Sequence, residues 1–205
     1  MFDRIHAYLS EITPERPPVL REMEQRAAED GFPIVGPLVG RFLYQMVLVI
    51  KARRILELGS GFGYSACWFS LAARSKGEIT LTDLDAANKR LAFSYFKQAG
   101  LQSHFDFRVG NALNIARRLS GQYDILLNDI NKEDYPKTLD LAARLLRRGG
   151  LFITDNMIWS GRVLAANPDK ASRAIVEFTR SLYQDGRFFT TVLPIRDGLG
   201  VAVRL

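Results

Sequence analysis

Arg54-Ile-Leu-Glu-Leu-Gly-Ser-Gly-Phe-Gly-Tyr-Ser-Ala-Cys-Trp-Phe69 is the stretch whose reading decides the fold. Ile55, Leu56 and Leu58 form a short apolar run with Glu57 inside it. Glycines follow at alternate positions, Gly59, Gly61 and Gly63, and an apolar segment resumes from Ala66 to Ala73. This pattern is strand, tight loop, helix. Glycine permits positive φ and lets a ligand approach the backbone, and the helix behind the loop offers unpaired N–H groups to it. A plain glycine-rich βα turn has the same outline, but two details favour a ligand site. Glu57 in an apolar strand costs free energy unless it has a partner. The dinucleotide fingerprint would need glycine at position 64, where the chain has Tyr64, so the loop is built for something else.

Outward from this stretch the chain alternates strand and helix. Strands are expected at Ile79–Asp83, Phe105–Val109, Tyr123–Leu127 and Leu151–Thr154. Helices are expected over 64–73, 86–98, 113–119, 137–148 (stopped by Gly149-Gly150) and 171–184. Upstream, helices are expected over 18–30, ended by Gly31, and from Pro37, a favourable first-turn residue, to about Lys51. The chain closes with strands over 187–193 and 198–204 around a turn at Arg196-Asp197-Gly198. The alternation predicts a doubly wound α/β sheet, mostly parallel, with helices on both faces and one antiparallel strand in the edge region. No linker divides the sequence, so one domain over 1–205 is expected, with N-terminal helices 1–50 packing on a core of 51–205.

Composition is ordinary for a globular chain, 47% hydrophobic and 24% charged, which argues against long disorder. Cys67 is the single cysteine, so no disulfide forms within the chain, in keeping with a reducing, cytoplasmic setting. The opening residues lack the apolar core of a signal peptide, and the apolar run Phe42–Ile50, broken by Gln45, falls short of the ~20 residues a membrane span needs. The net charge is +6, with basic pairs at Arg53-Arg54, Arg117-Arg118 and Arg147-Arg148. These are either solvated surface or a footprint for RNA, depending on whether they share a face.

In a doubly wound sheet the ligand lies beyond the carboxyl ends of the strands. After the second strand stands Asp83, placed to accept both hydroxyls of a ribose, while Asp85 suits the cap of the next helix. After the third come Gly110-Asn111-Ala112, small enough to admit a flat base. After the fourth come Asn128-Asp129-Ile130-Asn131-Lys132, and after the fifth Asp155-Asn156. These two clusters carry carboxylate and amide oxygens without sulfur or imidazole, a set for a hard cation such as Mg²⁺ or Ca²⁺ rather than zinc. Lys132 beside a metal in a closed pocket would be pressed toward its neutral form and could serve as a base. Trp159, Met157 and Tyr135 are candidates to wall an aromatic substrate, with core packing as the alternative.

Glu57-x-Gly-x-Gly-x-Gly63 resembles the first motif of S-adenosylmethionine-dependent methyltransferases. Together with Asp129-Ile-Asn-Lys-Glu-Asp-Tyr135 and Asp155-Asn-Met-Ile-Trp-Ser-Gly161, it makes the chain, from about Val19 to Leu205, resemble the cation-dependent O-methyltransferases of catechol and caffeoyl-CoA type. The resemblance implies a Rossmann-like class I methyltransferase sheet and metal ligands at Asp129, Asp155 and Asn156. The cation would be Mg²⁺, or another hard divalent ion such as Ca²⁺ or Mn²⁺. It implies a catalytic Lys132 and S-adenosylmethionine contacts at Val35, Glu57, Gly59, Gly61, Ser65, Asp83, Ala112 and Asp129. Asn131 and Asn111 stand where the family often has Asp. The implied substrate is a hydroxylated aromatic small molecule. A hydroxylated tRNA base, in the manner of a tRNA hydroxyuridine O-methyltransferase, and a non-catalytic S-adenosylmethionine-binding module are the alternatives. The family often pairs, so a homodimer is expected, with the helix Pro37–Ile50 as a candidate surface.

Overall fold

The computed structural model describes residues 2–101 and 105–205; Met1 and residues 102–104 of the expected 1–205 span lie outside the described residues. Seven strands form one sheet: β1 (Arg54–Leu58), β2 (Glu78–Asp83), β3 (Phe105–Val109), β4 (Tyr123–Asn128), β5 (Leu146–Thr154), β6 (Phe188–Leu193) and β7 (Leu199–Arg204). Their order is β3-β2-β1-β4-β5-β7-β6. The first five pair in parallel, and β7 is antiparallel to both β5 and β6. The reversed strand therefore lies one in from the edge, and β6, at the edge, runs with the parallel set.

Alternate strand residues face opposite layers. Ile55, Ile79, Ile125 and Ile153 belong to one buried cluster with α2 (Pro18–Asp30), α3 (Gly36–Ile50), α4 (Tyr64–Ala73) and α5 (Ala86–Gln98). Leu56, Leu58, Leu126 and Phe152 belong to a second cluster with α6 (Ala112–Arg118), α7 (Leu139–Leu145) and α8 (Lys170–Gln184). α8 shows the cause plainly: Ile175, Phe178 and Leu182, at helical spacing, are its large buried side chains. Each such burial is worth about 1.5–3 kcal/mol. The N-terminal helices join the same core, and the Tyr64 hydroxyl at the head of α4 donates to Glu24 of α2 at 2.6 Å.

Two segments differ from the sequence expectation. Residues Phe2–Ile12 form a further helix, α1. The helix expected over 137–148 is confined to α7, after a 3-10 segment, Lys132–Thr138, that contains Pro136. Leu146 already pairs with Tyr123, and the register shifts before Leu151 pairs with Ile125. Arg147, held to Asp124 at 2.5 Å, and Gly149 in left-handed conformation absorb the extra length. Elsewhere the caps follow the sequence: Asp85 accepts the Ala87 N–H at 2.7 Å, and Gly31 closes α2 with φ 62°.

The approach of α3 to α4 rests on Gly40, where a Cβ would collide with the indole of Trp68. Gly40→Ala should lower the free energy of unfolding by about 1–3 kcal/mol, read as an earlier midpoint in urea denaturation.

Candidate active site

The carboxyl ends of β1, β2, β4 and β5 open into a cavity of about 450 Å³. The strand order reverses between β1 and β4, the switch point at which a crevice forms. Gly59, with φ 80°, is the residue that lets the two strand ends meet, because a side chain there would strike the Asp129 carbonyl. Val35, Gly59, Gly61, Ser65, Asp83 and Asp129 all line this cavity. Ala112 instead lines an adjoining pocket of about 230 Å³ that shares Gly59, Asp83 and Asp129 with it.

Glu57 is not on the cavity wall. It lies beneath the loop, 1% exposed, and accepts a short hydrogen bond from the Ser65 hydroxyl, while its Oε2 has no partner. Burial, reinforced by the charge on Asp129, raises its pKa to about 8. Asp83 holds the loop: its Oδ2 accepts the Gly61 N–H at 3.0 Å, and its Oδ1 accepts from Asp85 N and Asn88 Nδ2 at 2.9 and 3.0 Å. Oδ1 is thereby saturated, while Oδ2 keeps a further lone pair. Asn111 caps α6, accepting from Asn114 N at 3.0 Å, which is the local use of the amide at that position.

Asp129 and Asp155 enter the same cavity from neighbouring strand ends. Burial raises both acids, and the charge on Asp129 helps carry Asp155 up to about 7. Two cations oppose the rise. Lys132 Nζ donates to Asp129 Oδ1 at 2.7 Å and to the Ile130 carbonyl at 3.3 Å. Arg196 Nη1 donates to Asp155 Oδ2 at 3.1 Å. Asp155 Oδ1 is buried without a partner. Asn156 Nδ2 donates to Asp197 Oδ2 at 3.0 Å, which leaves its amide oxygen free for another bond. Among the described residues no cluster of three or more His, Cys, Asp or Glu is poised for a metal. Two carboxylates and an amide, one carboxylate oxygen of which is buried without a partner, nonetheless fit a hard cation.

Of the three candidate aromatic walls, Trp159 lines the cavity, with its ring 5.5 Å from Lys132 Nζ. Tyr135 and Met157 are core. Tyr135 is fully buried against Phe178 and donates its hydroxyl to the Asp155 carbonyl at 2.9 Å. Met157 packs against Gly200.

The family model described as O-methyltransferase matches residues 10–205. The chain belongs to this family. It is 29% identical to a catechol O-methyltransferase of Niastella koreensis, across 99% of this chain and 97% of that protein. It is 28% identical to a caffeoyl-CoA O-methyltransferase of Eucalyptus gunnii, across 99% and 88%. An O-methyltransferase from Bacillus cereus, solved in complex with SAH, superposes with a TM-score of 0.89 at 26% identity, covering 98% of this chain and 97% of that one.

Sequence reading of this O-methyltransferase passed over Arg196 and Asp197, treating them as turn residues. The signal was available. Because β6 runs with the parallel strands, its carboxyl end also faces the cavity, and the strand-end rule applies to the residues after it. Phe32, packed against Phe62 with ring centroids 4.9 Å apart and lining the same cavity, carries no sequence signal.

The pKa of Glu57 lies above its unfolded value, so its contribution to stability is full below about pH 4.5 and is lost as pH rises through about 8. Wild-type stability should fall across that window. Glu57→Gln should make the fall shallower, as read by denaturant titrations at about pH 5, 7 and 9.

Proposed function

We infer that this enzyme transfers a methyl group from S-adenosylmethionine to a hydroxyl of a catechol-like small molecule, with the help of a divalent cation, Mg²⁺ or another hard ion. The observation that carries the reading is the meeting of Asp129 and Asp155 in one cavity, with an orphaned buried oxygen on Asp155. Two like charges in one cavity, with Asp155 fully buried and Asp129 partly so, are poorly matched by one contact each from Lys132 and Arg196. Family membership and the likeness to an SAH-bound structure support the methyl donor.

On this reading Val35, Gly59, Gly61, Ser65, Asp83 and Ala112 hold the donor, and Glu57 supports the loop from below. Asp129 borders both donor and metal. A cation held by Asp129, Asp155 and Asn156 would act as a Lewis acid toward two neighbouring substrate oxygens. Asp197 holds the Asn156 amide nitrogen, which leaves the amide oxygen for the ion. Lys132, as the neutral amine, accepts the proton of the attacking hydroxyl as that oxygen takes the methyl group and the donor's sulfonium leaves as a thioether. Its nitrogen is placed by Asp129 and by the rings of Trp159 and Tyr135, 5.5 and 5.2 Å away. Trp159 offers its face to the aromatic ring of the substrate. Much of the rate then comes from holding acceptor and donor in line.

The tRNA reading has less support. Two of the basic pairs lie at the amino ends of the strands, opposite the cavity, where the Asp124 carboxylate accepts from the backbone N–H groups of Arg53 and Arg54 and from the Arg147 side chain. The chain acts as one domain, residues 1–205. No described helix is long and apolar enough to cross a membrane; with its lone, buried Cys67, we assign the enzyme to the cytoplasm. Leu48 and Val49, 55% and 64% exposed near the end of α3, support pairing of two copies there.

Lys132→Ala should lower kcat on a catechol by about 10²-fold or more while donor binding, measured by calorimetry, stays near wild type. Unchanged turnover would remove Lys132 from the mechanism. Asp155→Ala should abolish the response of activity to Mg²⁺, and chelation should silence the wild-type enzyme. Activity indifferent to both treatments would end the metal reading.

A further inference from the structure

We propose that Arg196 exchanges partners during the reaction cycle: it holds Asp155 while the metal position is open, and once a divalent cation takes that carboxylate it binds an acidic group on the tail of the substrate. The proposal rests on the O-methyltransferase reading above and adds the substrate class, a dihydroxyaryl compound with an acidic tail. Four observations carry it.

The contact is a single one, Nη1 to Asp155 Oδ2 at 3.1 Å, although a guanidinium can grip a carboxylate through two parallel bonds. The second Asp155 oxygen is buried and unpartnered. The pair is therefore half-made, as expected of a placeholder. Secondly, Arg196 adopts φ 51°, a left-handed conformation that L side chains rarely adopt. Glycine would suit the turn better on backbone grounds alone, so the side chain is what keeps arginine there. Thirdly, among the described residues the Arg196 side chain makes no hydrogen bond besides the one to Asp155. The Arg196 side chain is 31% exposed, and its stem runs past Gly36, at the start of α3, with Cδ 3.9 Å from where a Cβ would stand.

The fourth observation is position. Arg196 and Asp197 line both the cavity and a second groove of about 830 Å³, whose apolar wall includes Ile5, Leu9, Leu38 and Leu164. A substrate ring over the two aspartates would send its tail across this junction into the groove. A divalent ion on Asp155 repels the guanidinium and takes over its carboxylate. The released fork of N–H donors then stands where the tail crosses, and its planar geometry suits a carboxylate. Lys132 does not compete for this role, since it is drawn toward Asp129 and the Ile130 carbonyl.

The test compares 3,4-dihydroxyphenylpropanoate with its neutral amide in the wild type, Arg196→Met and Arg196→Gly. The glycine variant fits the left-handed turn and guards against a folding failure of the methionine one. Wild-type kcat/KM should favour the acid over the amide by about tenfold or more, the scale of a charge-assisted hydrogen bond. Both variants should bring that ratio near one. In parallel, calorimetry should find Mn²⁺ bound at least about fivefold more tightly by the variants, which lack the competing cation. An acid-to-amide ratio equal in all three proteins, or Mn²⁺ affinity that the variants leave unchanged or weaken, overturns the proposal. Methyl transfer to neither compound by wild type, alongside tighter Mn²⁺ binding by the variants, would instead sink the catechol reading and leave the exchange of Arg196 for metal standing.

Discussion

Two carboxylates of like sign, forced together where water is scarce, are the constraint on which the rest of this site depends. Asp129 and Asp155 occupy neighbouring strand ends because β4 and β5 are adjacent and parallel. Neither can move away without dismantling the sheet. Burial drives both toward protonation, and the proximity of Asp129 adds to the rise of Asp155. Glu57, buried like Asp155, lies one strand over from Asp129, at about 8. Such a cluster persists only where positive charge is drawn to it. The protein supplies Lys132 from the loop that carries Asp129, and Arg196 from a turn far along the chain. Each makes one short contact with its acid, and an oxygen of Asp155 is still left over.

The scaffold explains why the cluster forms at this end of the sheet. At the switch point the connections from β1 and β4 leave toward opposite layers, so a crevice opens between them. Gly59 and Asp129 touch across it, backbone to backbone, and Asp83 pins the next turn of the loop through the Gly61 N–H. The loop is thus stretched between two acids, one contacting its backbone and one receiving its hydrogen bond. Changing the loop would disturb the placement of Asp129, and the two halves of the site are mechanically one object.

Most of this architecture could be read from residue patterns. The period-two runs, the glycine loop and the strand-end acids placed the sheet, the crevice and the acids within it. What escaped reading has particular causes. The segment 137–148 reads as one helix, yet the Arg147–Asp124 pair and the ladder with β4 draw its end, from Leu146, into β5; tertiary pairing outweighs local preference. Tyr135 and Met157 carry no mark distinguishing a core role from a cavity wall, and burial alone decides it. Arg196 was hidden by direction. A hairpin read as two local strands does not announce which end of the sheet its turn will face, and only the insertion of β7 between β5 and β6 brings that turn to the acids.

That insertion makes the terminal hairpin part of the site. Asp197 holds the Asn156 amide and the Ser160 N–H, and its carbonyl accepts from Ile158 N at 2.8 Å. The Gly198 carbonyl accepts from Met157 N at 2.9 Å, and a side chain at 198 would strike Ile158. The segment after β5, which carries Asn156 and Trp159, is therefore bonded to the hairpin turn through both backbone and side chain. Asn156 itself sits at φ 60°, a conformation that asparagine tolerates better than most residues. The hairpin holds the amide at that position through Asp197. Arg196 leaves the same turn in the direction of Asp155. One turn thus both holds the Asn156 amide and offers a cation to Asp155, so the position of the hairpin bears on how much negative charge the cavity carries.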